Sequence, residues 1–410
     1  MAARTASVAG VLLLLLILVV PSSSSYLAFR LQGSVHPHGD GYLYVTMKIG
    51  EPAREYNLDV DTGSVLTWLQ CSNPYCTGLC TTWPQEHQLY QLKEEKKVPT
   101  IDPLCVELVK HPGNPNDKTC GYNIDYVSGS SQGYLIRDKF MLPITRNNAP
   151  QTIAFGCGFN QTDQHTKPGT KKLPVDGVLG LGKGSAVGLI SQLKGKVIRK
   201  DAIAHCISSK GGGYLTVGNY GDSPRITWVP MDPNAKPGHY SPVLLAHLYF
   251  DSSQGPISDT PMKVTFDSGT TYTFFDRLPY QAAESAVIRS LDRSLRQAGP
   301  DDDLGLCWKG PRKFKSIEEV KQLFKSLSLV FGPRKVLRIP PENYLVISKK
   351  GYVCFAILRG WEHPLLGETN IIGGVTMQDR IIIYDNELAK IGWVDGLCRT
   401  QTESETTSRL

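Results

Sequence analysis

Hydrophobic and polar residues alternate strictly where the chain first becomes legible. Leu43, Val45, Met47 and Ile49 interleave with Tyr42, Tyr44, Thr46 and Lys48, a period of two that predicts a strand ending at Gly50-Glu51-Pro52. Further strands are predicted over 56–60, 120–126 and 133–142, the last two flanking a turn at Ser128-Gly129-Ser130-Ser131. Many short strands between turn residues point to an all-β architecture. Helical periodicity is rare. It occurs over 278–298, where Ala283, Ala286, Val287, Leu291 and Leu295 share one stripe. It recurs after Ser316-Ile317-Glu318-Glu319, a capping-box form ahead of Val320, Leu323, Phe324 and Leu327. Both stripes predict packing on a core.

The N-terminus differs in kind. Arg4, an unbroken apolar run over 11–20, then Pro21 and four serines read as a secretory signal peptide over 1–25. That run is too short for a membrane span, which needs about 20 apolar residues. The tail over 401–410 is polar, so no stable membrane anchor is expected. The chain is therefore assigned to the secretory pathway, either secreted or in a vacuolar lumen.

An oxidising lumen makes the ten cysteines disulfide candidates. Five of them fall within 71–120 among Pro, Gly and charged residues, a stapled surface excursion. Asn160-Gln161-Thr162 is the one glycosylation sequon. A length of 410 residues exceeds one ordinary core of about 100–150. The proline-rich stretch over 219–242 divides it into halves, 41–222 and 223–400, preceded by a short leader over 26–40. The net charge of +6 is mild for this length and makes no case for nucleic acid.

The halves carry the same ordered signals. Asp61-Thr62-Gly63-Ser64 follows an apolar strand over 58–60, and Asp267-Ser268-Gly269-Thr270-Thr271 follows another over 264–266. Two aliphatics and a glycine come next in each half: Val178-Leu179-Gly180, 117 residues past Asp61, and Ile371-Ile372-Gly373, 104 past Asp267. An ordered pair of signals occurring twice predicts a duplicated β domain. An aspartate ending an apolar strand is partly desolvated, which disfavours its charge. Glycine lets backbone amides approach the carboxylate, while Ser64 and Thr270 are placed to donate to it. Two such loops meeting across a pseudo-twofold axis cannot both ionise easily, so they share a proton and hold a water. Asp59-x-Asp61-x-Gly63 begins like a calcium loop but has Gln70 where the twelfth-position glutamate belongs. Cys71, Cys76 and Cys80, at spacings of five and four, fit disulfides better than zinc. No metal and no cofactor are called for.

These motifs resemble the pepsin-like aspartic proteases, and more closely their plant nucellin-like and nepenthesin-like branch. Trp68-Leu69-Gln70-Cys71, Asp176-Gly177-Val178-Leu179-Gly180-Leu181-Gly182, Ile371-Ile372-Gly373-Gly374, Ile383-Tyr384-Asp385 and Ile391-Gly392-Trp393 extend the likeness over nearly the whole chain after Gly41. The resemblance implies a bilobal fold of two related β-barrel-like lobes, and a monomer that hydrolyses an extended peptide or protein substrate. It implies Asp61 and Asp267 as catalytic, supported by Thr62, Gly63, Ser64, Ser268, Gly269 and Thr270. It also implies a flap in which Tyr126-Val127-Ser128-Gly129-Ser130 carries a tyrosine, Tyr126, partnered by Trp68. Tyr122 on the same strand face is the alternative. A Cys307–Cys354 bridge is implied in the second half.

Three departures stand out. Only 26–40 is left for a prosegment, with Arg30, His36 and His38 as its cations. No long insert divides the second half. Val127 and Ser128 occupy flap positions where relatives often carry an acid. A non-catalytic binding or inhibitor protein on the same fold is the rival reading.

Overall fold

The alternating stretches become paired strands. The computed structural model describes residues 26–36, 41–72, 77–78, 89–109, 118–127, 129–143, 150–163, 175–251, 253–301, 304–363, 366, 369–396 and 398. The expected signal peptide over 1–25, His38, Cys76, Cys80, Ser128 and the tail over 401–410 lie outside the described residues. Strand dominates. Among the described residues no helix is long and apolar enough to cross a membrane.

The internal repeat is visible as topology. Strand Gly177–Gly180 runs parallel to Arg54–Asp61, setting Gly180 beside Asp61, and also pairs antiparallel with Trp68–Ser72. In the second half Asn370–Ile372 runs parallel to Val264–Phe266 and antiparallel to Thr273–Phe275. Each aspartate loop is therefore clasped by the aliphatic-aliphatic-glycine strand of its own half. The glycines are needed because backbone passes very close. A Cβ on Gly180 would stand 2.6 Å from the Val65 carbonyl, and one on Gly373 2.2 Å from that of Tyr272.

The halves are not separate. A 15-stranded sheet carries Thr227–Pro230, Lys390–Asp395 and Arg380–Asp385 from the second half onto Ala202–Ile207 and Gly213–Val217 from the first. One buried cluster continues across this seam, with Ile203, Tyr240, Phe266, Tyr384 and Trp393 among its members.

The leader requires correction. Leu27–Gly33 is a strand inside the large sheet, pairing with Gly213–Val217 on one side and Leu43–Ile49 on the other. Leu27, Phe29 and Leu31 are buried, each contributing about 1.5–3 kcal/mol by removal from water. Arg30 is exposed on the opposite face, and His36 contacts Gln378 at 3.0 Å, so neither approaches Asp61 or Asp267 as a prosegment cation would.

The helical expectations are also modified. The helix expected over 278–298 spans Arg277–Arg289, burying Tyr280, Ala283, Ala286 and Val287. It stops short of 298 because Asp292 accepts from both the backbone and the hydroxyl of Ser294, holding a turn. After Ser316 there are two short 3-10 turns, Ile317–Glu319 and Lys321–Leu323, and Ser316 makes no capping hydrogen bond. Val320 leaves helical geometry at φ −128°, which lets it bury together with Phe324.

Four disulfides cross-link described residues. Cys71–Cys157 joins two strands, Cys105–Cys120 closes the excursion, and Cys206–Cys398 fixes the C-terminus to the central sheet. Cys307 and Cys354 are bonded across the register of Cys307–Lys309 and Val353–Phe355. Among the described residues the excursion is thus stapled internally by Cys105–Cys120, while Cys71 ties its root to the lobe.

A chain beginning at Gly41 would lose the strand Leu27–Gly33 and leave one edge of each of its two neighbours without a partner. It is expected to lose the cooperative thermal transition that a chain beginning at Tyr26 retains. Equal melting of the two would contradict the placement of that strand in the core.

Candidate active site

Asp61 ends the strand Arg54–Asp61, and Asp267 follows Val264–Phe266 at once. Strand parity turns both side chains out of the core toward the space between the halves. Each carboxylate is held in the same way. The Gly63 amide donates to Asp61 Oδ1 at 2.7 Å and the Ser64 hydroxyl donates to Oδ2. The Gly269 amide donates to Asp267 Oδ1 at 2.9 Å and the Thr270 hydroxyl to Oδ2 at 2.6 Å.

The loops are then locked to each other. The Ser268 amide donates to Thr62 Oγ1 at 2.9 Å, and the Thr62 amide to Ser268 Oγ at 3.2 Å. The Ser268 hydroxyl continues to the Val60 carbonyl at 2.6 Å. Thr62 and Ser268 are both buried. They serve as cross-braces, and the small glycines permit the approach. A Cβ on Gly63 would lie 2.7 Å from the Asp267 carboxylate, and one on Gly269 2.5 Å from Asp61 Oδ1.

The cleft above encloses about 680 Å³ and is lined from both halves. The hairpin of Gly121–Tyr126 and Gly129–Met141 covers it, with Tyr126 paired to Gly129. Trp68 Nε1 donates to the Tyr126 hydroxyl at 2.8 Å. Tyr122 is buried lower down, bonded to Ser131 at 3.0 Å and absent from the cleft lining. Of the two tyrosines, Tyr126 is the one at the site. The hairpin turn is tighter than expected, because Ser131 stays in the ladder, opposite Ile124 on one side and Gln161 on the other. Asn160 lies outside the cleft, its amide on Gln132 at 3.1 Å, while its neighbour Gln161 lines it. Among the described residues no group of three His, Cys, Asp or Glu is placed to hold a metal ion.

Comparison with known proteins shows the family of the chain. Family models described as the xylanase inhibitor N-terminal and C-terminal domains match residues 43–219 and 250–395. An aspartic proteinase of Oryza sativa subsp. japonica is 46% identical over 429 residues, covering all of both chains. The chain belongs to the pepsin-like aspartic protease family. Aspartic proteinase 39 of Arabidopsis thaliana is 28% identical over 87% of this chain and 75% of its own. Among solved structures, soybean Basic 7S globulin aligns with a TM-score of 0.67 at 15% identity, covering 93% of this chain and 97% of its own. Conglutin gamma from lupine seeds gives 0.63 at 16%, covering the same shares. Those two likenesses speak to the fold.

In this aspartic protease the Asp61 carboxyl is strongly perturbed. Burial first, and the neighbouring Asp267 charge second, push the Asp61 carboxyl up to about 7, against the Ser64 and Gly63 hydrogen bonds. Burial and the Asp61 charge also push the Tyr126 phenol up, so it remains a donor.

Sequence reasoning missed several cleft residues. Glu107 and Leu108 come from the helix Pro103–Val109 of the cysteine-rich excursion, which therefore forms a wall of the cleft. Glu107 accepts from the Ser185 hydroxyl and the Ala186 amide, both at 2.6 Å, and so pins that wall to the loop opposite. Val127 packs on Phe274, Leu366 and Ile371 across the cleft. Lys236, His239 and Asp59 complete the surprises. Asp59 was within reach of parity reasoning, since it sits two residues before Asp61. The others depend on contacts distant in sequence.

The raised Asp61 pKa has a stability consequence. Between its unfolded value near 4 and about 7, the folded chain keeps a proton that the unfolded chain has lost. The contribution is complete at low pH and is lost as pH rises to about 7. Melting temperature is therefore expected to fall over that window in the native chain, and to fall less in Asp61→Asn. Identical slopes would contradict the shift.

Proposed function

We propose that this chain is an aspartic endopeptidase of the secretory pathway, cutting extended peptide substrates by an Asp61–Asp267 dyad. The observation that carries the reading is the pair of carboxylates held in matching loops with one of them shifted toward its protonated form. In this reading Asp267 takes a proton from a water held between the two groups. The water oxygen attacks the peptide carbonyl carbon as Asp61 gives its proton to the carbonyl oxygen. A neutral gem-diol forms. On collapse Asp267 returns its proton to the amide nitrogen, the C–N bond breaks, and one diol hydroxyl proton goes back to Asp61.

Tyr126 and Trp68 gate access, and main-chain groups of the hairpin bind the peptide as an added strand. Both aspartates come from one chain, so a single copy holds the whole dyad. Four disulfides among the described residues suit an oxidising lumen.

The matched models' description as xylanase inhibitor domains favours one other reading, a secreted binding protein on the same fold. Both Asp-Thr/Ser-Gly loops are intact here with their hydrogen bonds made, which supports the peptidase. The mature chain is expected to cleave a denatured protein substrate at acidic pH, and a statine-type transition-state analogue to block it. Asp61→Asn or Asp267→Asn should lower kcat/KM by roughly 10³-fold or more while keeping a cooperative melt. Full activity in either variant would sink the mechanism. Trp68→Phe removes the bond to Tyr126 and is expected to cost about 10-fold in kcat/KM, close to the worth of one hydrogen bond. An unchanged kcat/KM would remove Trp68 from the gate.

A further inference from the structure

A third carboxylate shares the cleft. In Arg54–Asp61 the residues Tyr56, Leu58 and Val60 face the core, whereas Asp59 shares the face of Asp61 and is only partly buried. Two residues of strand separate them by about 7 Å, and both line the cavity that holds Asp267. Asp59 sits in the middle of a ladder, between Tyr44 on one side and Val178 on the other, so its backbone cannot swing away. Backbone amides of Leu43 and Val60 orient its carboxyl.

The fold does not require an acid at this place. The repeat supplies the comparison. The equivalent residue in the second half, two before Asp267, is Thr265, which also lines the cavity and is buried. Its hydroxyl is already satisfied by Ser241 at 2.7 Å. The cleft floor thus has matched carboxylates at its centre but an acid on one side and a satisfied hydroxyl on the other. Lys236 also lines the cleft and would repel a cation brought near it, whereas burial pushes the His239 imidazole toward its neutral form.

We propose that Asp59 is a specificity-determining residue: it receives a lysine or arginine side chain of the substrate on one side only of the bond to be cut. The proposal rests on the peptidase reading above. Burial, then the charges of Asp61 and Asp267, hold the Asp59 carboxyl well above its ordinary range. A neutral carboxyl there still accepts from a substrate ammonium. An arriving cation also offsets the repulsion from the dyad and draws Asp59 toward its ionised form. An aliphatic side chain in the same place would take the carboxyl out of water without supplying that partner, which costs binding. The repeat's asymmetry then sets the direction in which a peptide lies across the dyad.

The test uses reduced-amide peptides that cannot be cut, so binding is read independently of turnover. Two pairs are needed, each exchanging lysine for norleucine on one side of the reduced bond. Calorimetry on the native chain is expected to show lysine favoured by at least 10-fold in one pair and by less than 3-fold in the other. Asp59→Thr, which installs the residue of the equivalent position, should bring the first ratio below 3-fold. Asp59→Asn serves as the second variant and should at least halve the ratio. A native chain without lysine preference in either pair, a preference that survives both substitutions, or failure to bind any of the four peptides would overturn the proposal. Cleavable versions of the same peptides separate the two claims. Lysine preference in binding without any turnover would sink the peptidase reading and leave the Asp59 subsite standing.

Discussion

Two carboxylates that repel each other are held face to face, and most of the structure serves to keep them there. In a low-dielectric cleft their repulsion cannot be dispersed by water. It is opposed by anchoring from behind: one amide and one hydroxyl donate to each group, and Thr62 and Ser268 bond the two loops to each other. The anchors hold only because the loops hang from strands that cannot shift. Gly177–Gly180 and Asn370–Ile372 clasp them, and the sheet that runs through both halves fixes one clasp relative to the other. Burial and residual repulsion appear as the raised pKa of Asp61.

Duplication explains the symmetry of the floor but not of the walls. Ser64 and Thr270 do the same work in the two loops, as do Gly63 and Gly269. Away from that centre the halves diverge. The first half adds the helix Pro103–Val109 as a wall, fastened by the Cys105–Cys120 bridge, by Arg137 on Asp102 and by Glu107 on the Ser185 loop. The second half offers Lys236 and His239 with an apolar ledge of Leu366 and Ile371, on which the hairpin residue Val127 rests. A symmetric pair of carboxylates thus sits in an asymmetric cleft.

The parts legible in the sequence were those encoded locally. Each aspartate loop is a strand, a turn and two small residues in a row, and its clasp carries its own glycine. Tyr126 and Trp68 were assigned through the resemblance, and a hydrogen bond joins them. What escaped depends on distant partners. The stripe Leu27, Phe29, Leu31 alternates as plainly as the strand after it, yet its role appears only once Gly213–Val217 lies alongside. The capping box at Ser316 failed because burial of Val320 and Phe324 outweighed local helix preference. No spacing rule links Cys71 to Cys157, or Glu107 to Ser185.

The central claim is that burial and the neighbouring Asp267 charge hold a proton on Asp61 through the acid range. Carboxyl ¹³C NMR of aspartate-labelled protein measures this most directly, with the Asp61 resonance assigned by its loss in Asp61→Asn. In the native chain Asp61 is expected to titrate far above the ordinary carboxylate range, toward about 7, and to move down in Asp267→Asn because the neighbouring charge is gone. An Asp61 that titrates near 4, or one indifferent to removal of Asp267, would contradict the account.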